Sequence, residues 1–184
     1  LMPTSGEVRP DPNPSFELFD QARGACPFSL RTTLAGPRAP RSWRTLNIEN
    51  EYLLCTVLPD LGGRLYRCVD KISETELFFA NPSVKYALIG ARGARAALGV
   101  EFDLAAPRNW TTVSPVDFAL TRRPDGSASI WVGRLDSRTG LQWRVAITLR
   151  PGRAAVEQRT TLYHGGLTRQ PVSWWTNAAV EVSD

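Results

Sequence analysis

A chain of 184 residues with 42% hydrophobic and 22% charged side chains has room for one sizeable core and does not require two domains. Its formal charge of +4 comes from arginine, since Lys71 and Lys85 are the only lysines among 22 basic residues, and those arginines are scattered among acids, which argues against nucleic acid as a partner. No apolar run approaches the roughly 20 residues of a transmembrane helix, His164 is the sole histidine, and Cys26, Cys55 and Cys68 lack metal-ligand spacing, so neither a membrane span nor a metal or other cofactor is expected.

Residues 1–42 are rich in proline and glycine, with Pro10, Pro12 and Pro14 among polar residues, and read as an extended lead-in lying on the surface. Residues 43–184 read as one domain. Two strand-like runs, 44–49 and 52–58, are divided by Glu49-Asn50-Glu51. Pro59-Asp60-Leu61-Gly62-Gly63 then breaks the chain sharply, because proline fixes φ and paired glycines admit positive φ. Residues 64–69 and 76–80 continue an antiparallel meander. Residues 81–98 have neither helical nor strand periodicity and are expected to form a long excursion with about one helical turn, the kind of segment that carries function in a β scaffold.

Val116 to Arg122 and Ser127 to Leu135 should form a hairpin around Pro124-Asp125-Gly126. Next, Leu141, Trp143, Val145, Ile147 and Leu149 alternate with Gln142, Arg144, Ala146, Thr148 and Arg150, which predicts one face in the core and the other in water. Strands over 154–163 and 171–182 follow, separated by a turn at His164-Gly165-Gly166 that leaves His164 in solvent. About ten strands with almost no helix predict an all-β fold, a two-sheet antiparallel β-sandwich, because so many strands exceed one flat sheet. Cys55 and Cys68 lie in strand-like runs and read as small buried hydrophobes, with one disulfide possible. The chain starts at Leu1 and stops in mid-pattern at Asp184, so it reads as a processed or trimmed piece truncated at its C-terminus. A removed leader would favour a periplasmic or secreted location; otherwise the location would be cytoplasmic.

Chemistry points first to Gly99-Val100-Glu101-Phe102-Asp103-Leu104. On a strand Glu101 and Asp103 share one face, with Cα atoms roughly 6.6 Å apart at about 3.3 Å per residue. Carboxyl groups ~5 to ~9.5 Å apart perform acid/base work on sugars. The competing reading is an ordinary solvated strand face. In the last strand, Trp174, Thr176, Ala178, Val180 and Val182 would face the core, and Trp175, Asn177, Ala179, Glu181 and Ser183 the other side. An indole, an amide and a carboxylate in line suit a surface that holds a sugar, and equally a cross-strand surface ladder.

Leu58-Pro59-Asp60-Leu61-Gly62-Gly63-Arg64-Leu65-Tyr66, then Asp70-Lys71, Gly90-Ala91-Arg92-Gly93-Ala94, Gly99-Val100-Glu101-Phe102, Ser114-Pro115-Val116-Asp117 and Trp174-Trp175-Thr176-Asn177-Ala178-Ala179-Val180 follow one another in a specific order. As a set, from about Trp43 to Asp184, they resemble the bacterial domain-of-unknown-function family numbered 5107. That family is similar to the galactose-mutarotase-like sandwich proteins that bind or process carbohydrate, and its members often carry tetratricopeptide repeats further on. The resemblance implies the N-terminal part of a mutarotase-like supersandwich, a carbohydrate ligand, and further domains outside this chain. Aldose 1-epimerases use a histidine acid and a glutamate base. Here Ala178 stands in the place of one such histidine, and the base glutamate would lie beyond Asp184. Arg95, Asp103 and Arg108 replace the family's usual tryptophan, asparagine and histidine.

Three functions follow from this reading. The first is a carbohydrate-active enzyme, a glycoside hydrolase or epimerase-like protein, with Glu101 as the leading acid or base, Asp103 beside it, and Arg92, Arg108, Asn109, Trp110, Trp175, Asn177 and Glu181 as substrate contacts; a sugar acid would suit the arginines. The second is a glycan-recognition module without chemistry. The third is a structural sandwich attached to other domains. Burial of Glu101 against aromatics would favour acid catalysis, and an arginine partner would favour binding.

Overall fold

Alternating apolar and polar side chains carry most of the chain into strands. The structure, a computed structural model, describes residues 1–4, 7–9, 33–35, 37–88, 94–104, 111–136 and 140–181. In chain order the strands are β1 (Met2–Thr4), β2 (Glu7–Arg9), β3 (Thr33–Ala35), β4 (Ala39–Arg41), β5 (Leu46–Glu49), β6 (Leu53–Leu58), β7 (Arg64–Asp70), β8 (Thr75–Glu76), β9 (Tyr86–Leu88), β10 (Ala94–Ala96), β11 (Val100–Leu104), β12 (Asp117–Arg122), β13 (Ala128–Asp136), β14 (Leu141–Leu149), β15 (Val156–His164) and β16 (Trp174–Ala178). Among the described residues the one helical element is a 3₁₀ turn at Thr111–Val113.

Two antiparallel sheets carry the fold. The first runs β16-β11-β7-β6-β5, with β8 added against β7; the second is the meander β12-β13-β14-β15. Their inner faces share one core, to which the first sheet contributes Leu53, Cys55, Leu65, Cys68, Val100 and Phe102 and the second Ile130, Val132, Trp143, Val145 and Ile147. This is the expected all-β sandwich. The inner positions of β14 are all buried, as its alternation predicts, but Ala146 and Thr148 on its outer face are buried as well. The Thr148 hydroxyl bonds that of Ser129 across to β13 at 2.7 Å.

Asn50 fixes the β5–β6 turn and reaches beyond it. Its Oδ1 accepts from the backbone N–H groups of Tyr52 and Leu53, while its Nδ2 donates to the carbonyls of Arg150 and Arg153 in the turn between β14 and β15. One side chain therefore ties a turn of each sheet to the other. Cys55 and Cys68 stand opposite one another on β6 and β7, both fully buried, and are joined as a disulfide.

Pairing of β6 with β7 shifts register between Thr56 and Val57, so Val57 faces Leu65, Thr56 faces Arg67, and Tyr66 is the extra residue of a bulge. The bulge lets Leu65 and Cys68, three apart, both enter the core. A second core fills beside this sheet from Leu58, Leu61, Val84, Tyr86, Ala96, Leu98 and Val113, with Met2, Trp43 and Tyr66 against it.

Several expectations change here. Residues 81–98 are not one irregular excursion, because Tyr86–Leu88 pairs with Ala94–Ala96 as a short hairpin. The run predicted at 76–80 keeps only Thr75–Glu76 as strand, and the last strand is Trp174–Ala178 instead of 171–182. His164 closes β15 opposite Leu141, half-buried, and not in an exposed turn. In the lead-in, β1 pairs with β4, and Thr4 is buried, accepting a hydrogen bond from the Trp43 indole at 3.2 Å.

Candidate functional site

All five residues of β11 are buried. Val100, Phe102 and Leu104 enter the shared core, so alternation turns Glu101 and Asp103 to the opposite face of the sheet. The sequence leaves open an ordinary solvated face, and the structure closes that option: Glu101 is 9% exposed and Asp103 2%. Buried carboxyl groups need partners.

Glu101 has them on two sides. On one, β16 pairs antiparallel with β11, placing Asn177 directly opposite Glu101 and Trp175 opposite Asp103. The Asn177 Nδ2 donates to Glu101 Oε1 at 3.0 Å. On the other side, Arg64 Nη2 lies 3.9 Å from Glu101 Oε2. Arg64 is fully buried. Its Nε donates to the Leu61 carbonyl at 3.1 Å, its Nη1 to Ala96 at 2.6 Å and Leu98 at 3.0 Å, and its Nη2 to Thr112 at 2.8 Å. One guanidinium thus binds the glycine turn after β6, the exit of the β9–β10 hairpin and the 3₁₀ turn, and sits beside the acid.

The glycines make that packing possible. Gly62 and Gly63 have φ of +72° and +68°, and a Cβ on Gly62 would stand 2.5 Å from the Thr112 carbonyl oxygen. Gly99, with φ +57°, brings β11 so close to β7 that a Cβ would fall 2.2 Å from the Leu65 carbonyl oxygen. Its N–H donates to the Phe79 carbonyl, the Ala179 N–H to the Gly99 carbonyl, and the Phe79 N–H to the Ala179 carbonyl. Tyr66, turned toward the second core by the bulge, donates its hydroxyl to the Asn81 carbonyl at 3.1 Å. Burial pushes its phenol pKa up, against the lowering effect of the neighbouring Arg67.

Of the residues singled out from the sequence, Glu101, Asp103, Trp175 and Asn177 come together as two adjacent cross-strand pairs on one face. Trp175 is 37% exposed. Trp174 points the other way, as alternation predicts, with its ring centroid 5.6 Å from that of Trp143, but Thr176, Ala178 and Val180, expected in the core beside it, are exposed. Glu181 is not brought to this face by the strand, which ends at Ala178 opposite Val100; it is solvent-exposed. Arg92, Arg108, Asn109 and Trp110 lie outside the described residues. Arg64 and Tyr66 are the residues that sequence reasoning passed over as site components. The signal for Arg64 was its place directly after Leu61-Gly62-Gly63, where the glycines free the backbone to wrap a side chain. No group of three or more His, Cys, Asp or Glu able to hold a metal occurs among the described residues. No helix among them is long and apolar enough to cross a membrane.

A family model described as a domain of unknown function, DUF5107, matches residues 23–184. Among solved structures, the fold is similar to that of a TPR-domain containing protein from Parabacteroides distasonis, with a TM-score of 0.82 at 23% identity. That match covers 99% of this chain and 31% of the other, so the chain spans about a third of the length of its solved neighbour.

Proposed function

The chain belongs to the DUF5107 family, and we propose that it binds carbohydrate on the outer face of the β16-β11-β7 sheet, as a galactose-mutarotase-like sandwich. The observation that carries this reading is the pair of rungs Glu101–Asn177 and Asp103–Trp175, which set two carboxyl groups, an amide and a partly exposed indole side by side. Carboxylate oxygens accept from sugar hydroxyls, an amide donates and accepts, and an indole packs against the C–H face of a pyranose. The likeness of this family to the galactose-mutarotase-like sandwich proteins supports the same ligand class.

Recognition without turnover fits the geometry best. Asn177 bonds one oxygen of Glu101 and Arg64 lies 3.9 Å from the other, which is buried, so the carboxyl is held in one place and in turn fixes the Asn177 amide. A general acid or base must lie within hydrogen-bond reach of the proton it moves, and of the two Glu101 oxygens one is bonded by Asn177 and the other is buried. Tetratricopeptide repeats outside this chain are part of the proposal for the whole protein, as in the solved neighbour's description.

The test is a glycan array followed by calorimetric titration of the chain and of its Trp175→Ala, Asn177→Ala and Glu101→Gln variants, with product analysis of each mixture. Loss of the indole should weaken binding about two- to thirteen-fold, the equivalent of roughly 0.5–1.5 kcal/mol. Glycan turnover abolished by Glu101→Gln would convert the reading to an enzyme. Absence of any glycan response would leave a structural sandwich.

A further inference from the structure

The second sheet has an outer face of its own, remote from β11 and β16 in the sheet order. Across it, register places Arg144 of β14 opposite Gly133 on one side and Thr161 on the other, and Ala146 opposite Trp131 and Arg159. Tyr163 lies opposite Gln142. Arg144, Arg159 and Tyr163 therefore form one diagonal cluster on a single face, with Trp131 beside it; diagonal neighbours of this kind are roughly 7–8 Å apart. The stem of Arg144 lies over Gly133, where a Cβ would meet the Arg144 Cγ at 3.0 Å.

Several arginines of the two sheets are already paired. At the opposite end of the same face, Glu157 is taken by Arg150 at 2.7 Å and Arg153 at 3.9 Å, and Asp125 lies 3.6 Å from Arg150. Arg67 pairs with Glu76 on the other sheet. Arg144 and Arg159 are exposed and form no ion pair among the described residues, and Tyr163 next to them is 60% exposed.

We propose that this face is a second ligand surface, for an acidic glycan whose carboxylates are taken by Arg144 and Arg159 while its rings lie on Tyr163 and Trp131. A guanidinium fork matches a planar carboxylate, and an aromatic ring beside it matches a pyranose face. Nucleic acid fits less well, because its affinity comes from neutralising many phosphates and this face offers two cations. The surface is independent of the Glu101–Asn177 face, and either can stand without the other.

The test titrates the chain with an oligogalacturonate of defined length, its fully methyl-esterified counterpart, and a single-stranded oligonucleotide. Oligogalacturonate should bind, its neutral ester should bind more weakly, and raised salt should weaken the acidic ligand alone. Arg144→Gln with Arg159→Gln should lower affinity for the acid about three- to thirty-fold, as expected for two exposed ion pairs. Arg144→Lys with Arg159→Lys should recover part of it, and Arg67→Gln, on the other sheet, should leave it unchanged. Both arginines are exposed, so an unchanged thermal midpoint will show that the variants fold. Equal binding of acid and ester, a change below twofold in the double glutamine variant, tighter binding of the oligonucleotide, or no binding of the acid would each overturn the proposal.

Discussion

Replacing Arg64 by methionine keeps the bulk of the side chain and removes its charge and all its donors. Four carbonyls, those of Leu61, Ala96, Leu98 and Thr112, lose their partner inside the protein, and Glu101 loses the cation 3.9 Å from its Oε2. A hydrogen bond to a charged group contributes roughly 1.5–3 kcal/mol, and such bonds on one side chain do not add. Removal of one partner of a buried ion pair costs about 3–5 kcal/mol, and Arg64 is fully buried, so solvent screening does not reduce it. The expected loss is therefore about 4 kcal/mol. With a urea slope near 2 kcal/mol per molar, the unfolding midpoint should fall by about 2 M. Adding Glu101→Gln to Arg64→Met should cost less than the sum of the two single changes by about 0.5–3 kcal/mol, because the carboxylate stranded by the first change is neutralised by the second. A loss under about 1 kcal/mol for Arg64→Met, or strict additivity in the double variant, would refute the idea that this guanidinium joins the second core to the acid.

Gly99→Ala should destabilise by more than the roughly 1–3 kcal/mol of a left-handed residue alone, since its Cβ meets backbone at 2.2 Å, whereas Gly152→Ala, with φ +70° and nothing within 4 Å, should stay inside that range; thermal unfolding of both compares them. The Asp70 carboxyl is held below its usual value by hydrogen bonds from the backbone N–H groups of Ile72 and Ser73, and burial opposes this only weakly. Its folded pKa is depressed, so its contribution is present above the unfolded value and is lost as pH falls through the folded one. The stability gap between the protein and Asp70→Asn should accordingly close on acidification, and a gap that widens below pH ~4 would contradict that sign.

Much of the sandwich was legible because strand periodicity and turn chemistry are local. The five inner residues of β14 announce a core face, and Pro124-Asp125-Gly126 announces the β12–β13 turn, where Gly126 has φ +81° and Asp125 accepts from both the backbone and the hydroxyl of Ser127. The β11–β16 rungs were partly legible, since alternation puts Glu101 with Asp103 and Trp175 with Asn177, but nothing local says that these two strands are neighbours. Arg64 was illegible for the opposite reason. Propensity places arginine at the surface, and its burial depends on carbonyls from residues 61, 96, 98 and 112, which only the tertiary fold assembles. The β9–β10 hairpin was missed because Ala94-Arg95-Ala96 carries almost no hydrophobic contrast.

The ring of backbone hydrogen bonds among Phe79, Gly99 and Ala179 gives the β11–β16 rungs a history as well as a geometry. Each of the three segments donates a hydrogen bond to the next, so the ring closes only when all three are in place, and they span 100 positions of chain. During synthesis Glu101 is made 76 residues before Asn177, its partner across the two strands. The Glu101–Asn177 rung therefore forms only after β16 has been made, and removal of β16 would abolish that rung while leaving the β12-β13-β14-β15 sheet its own pairings.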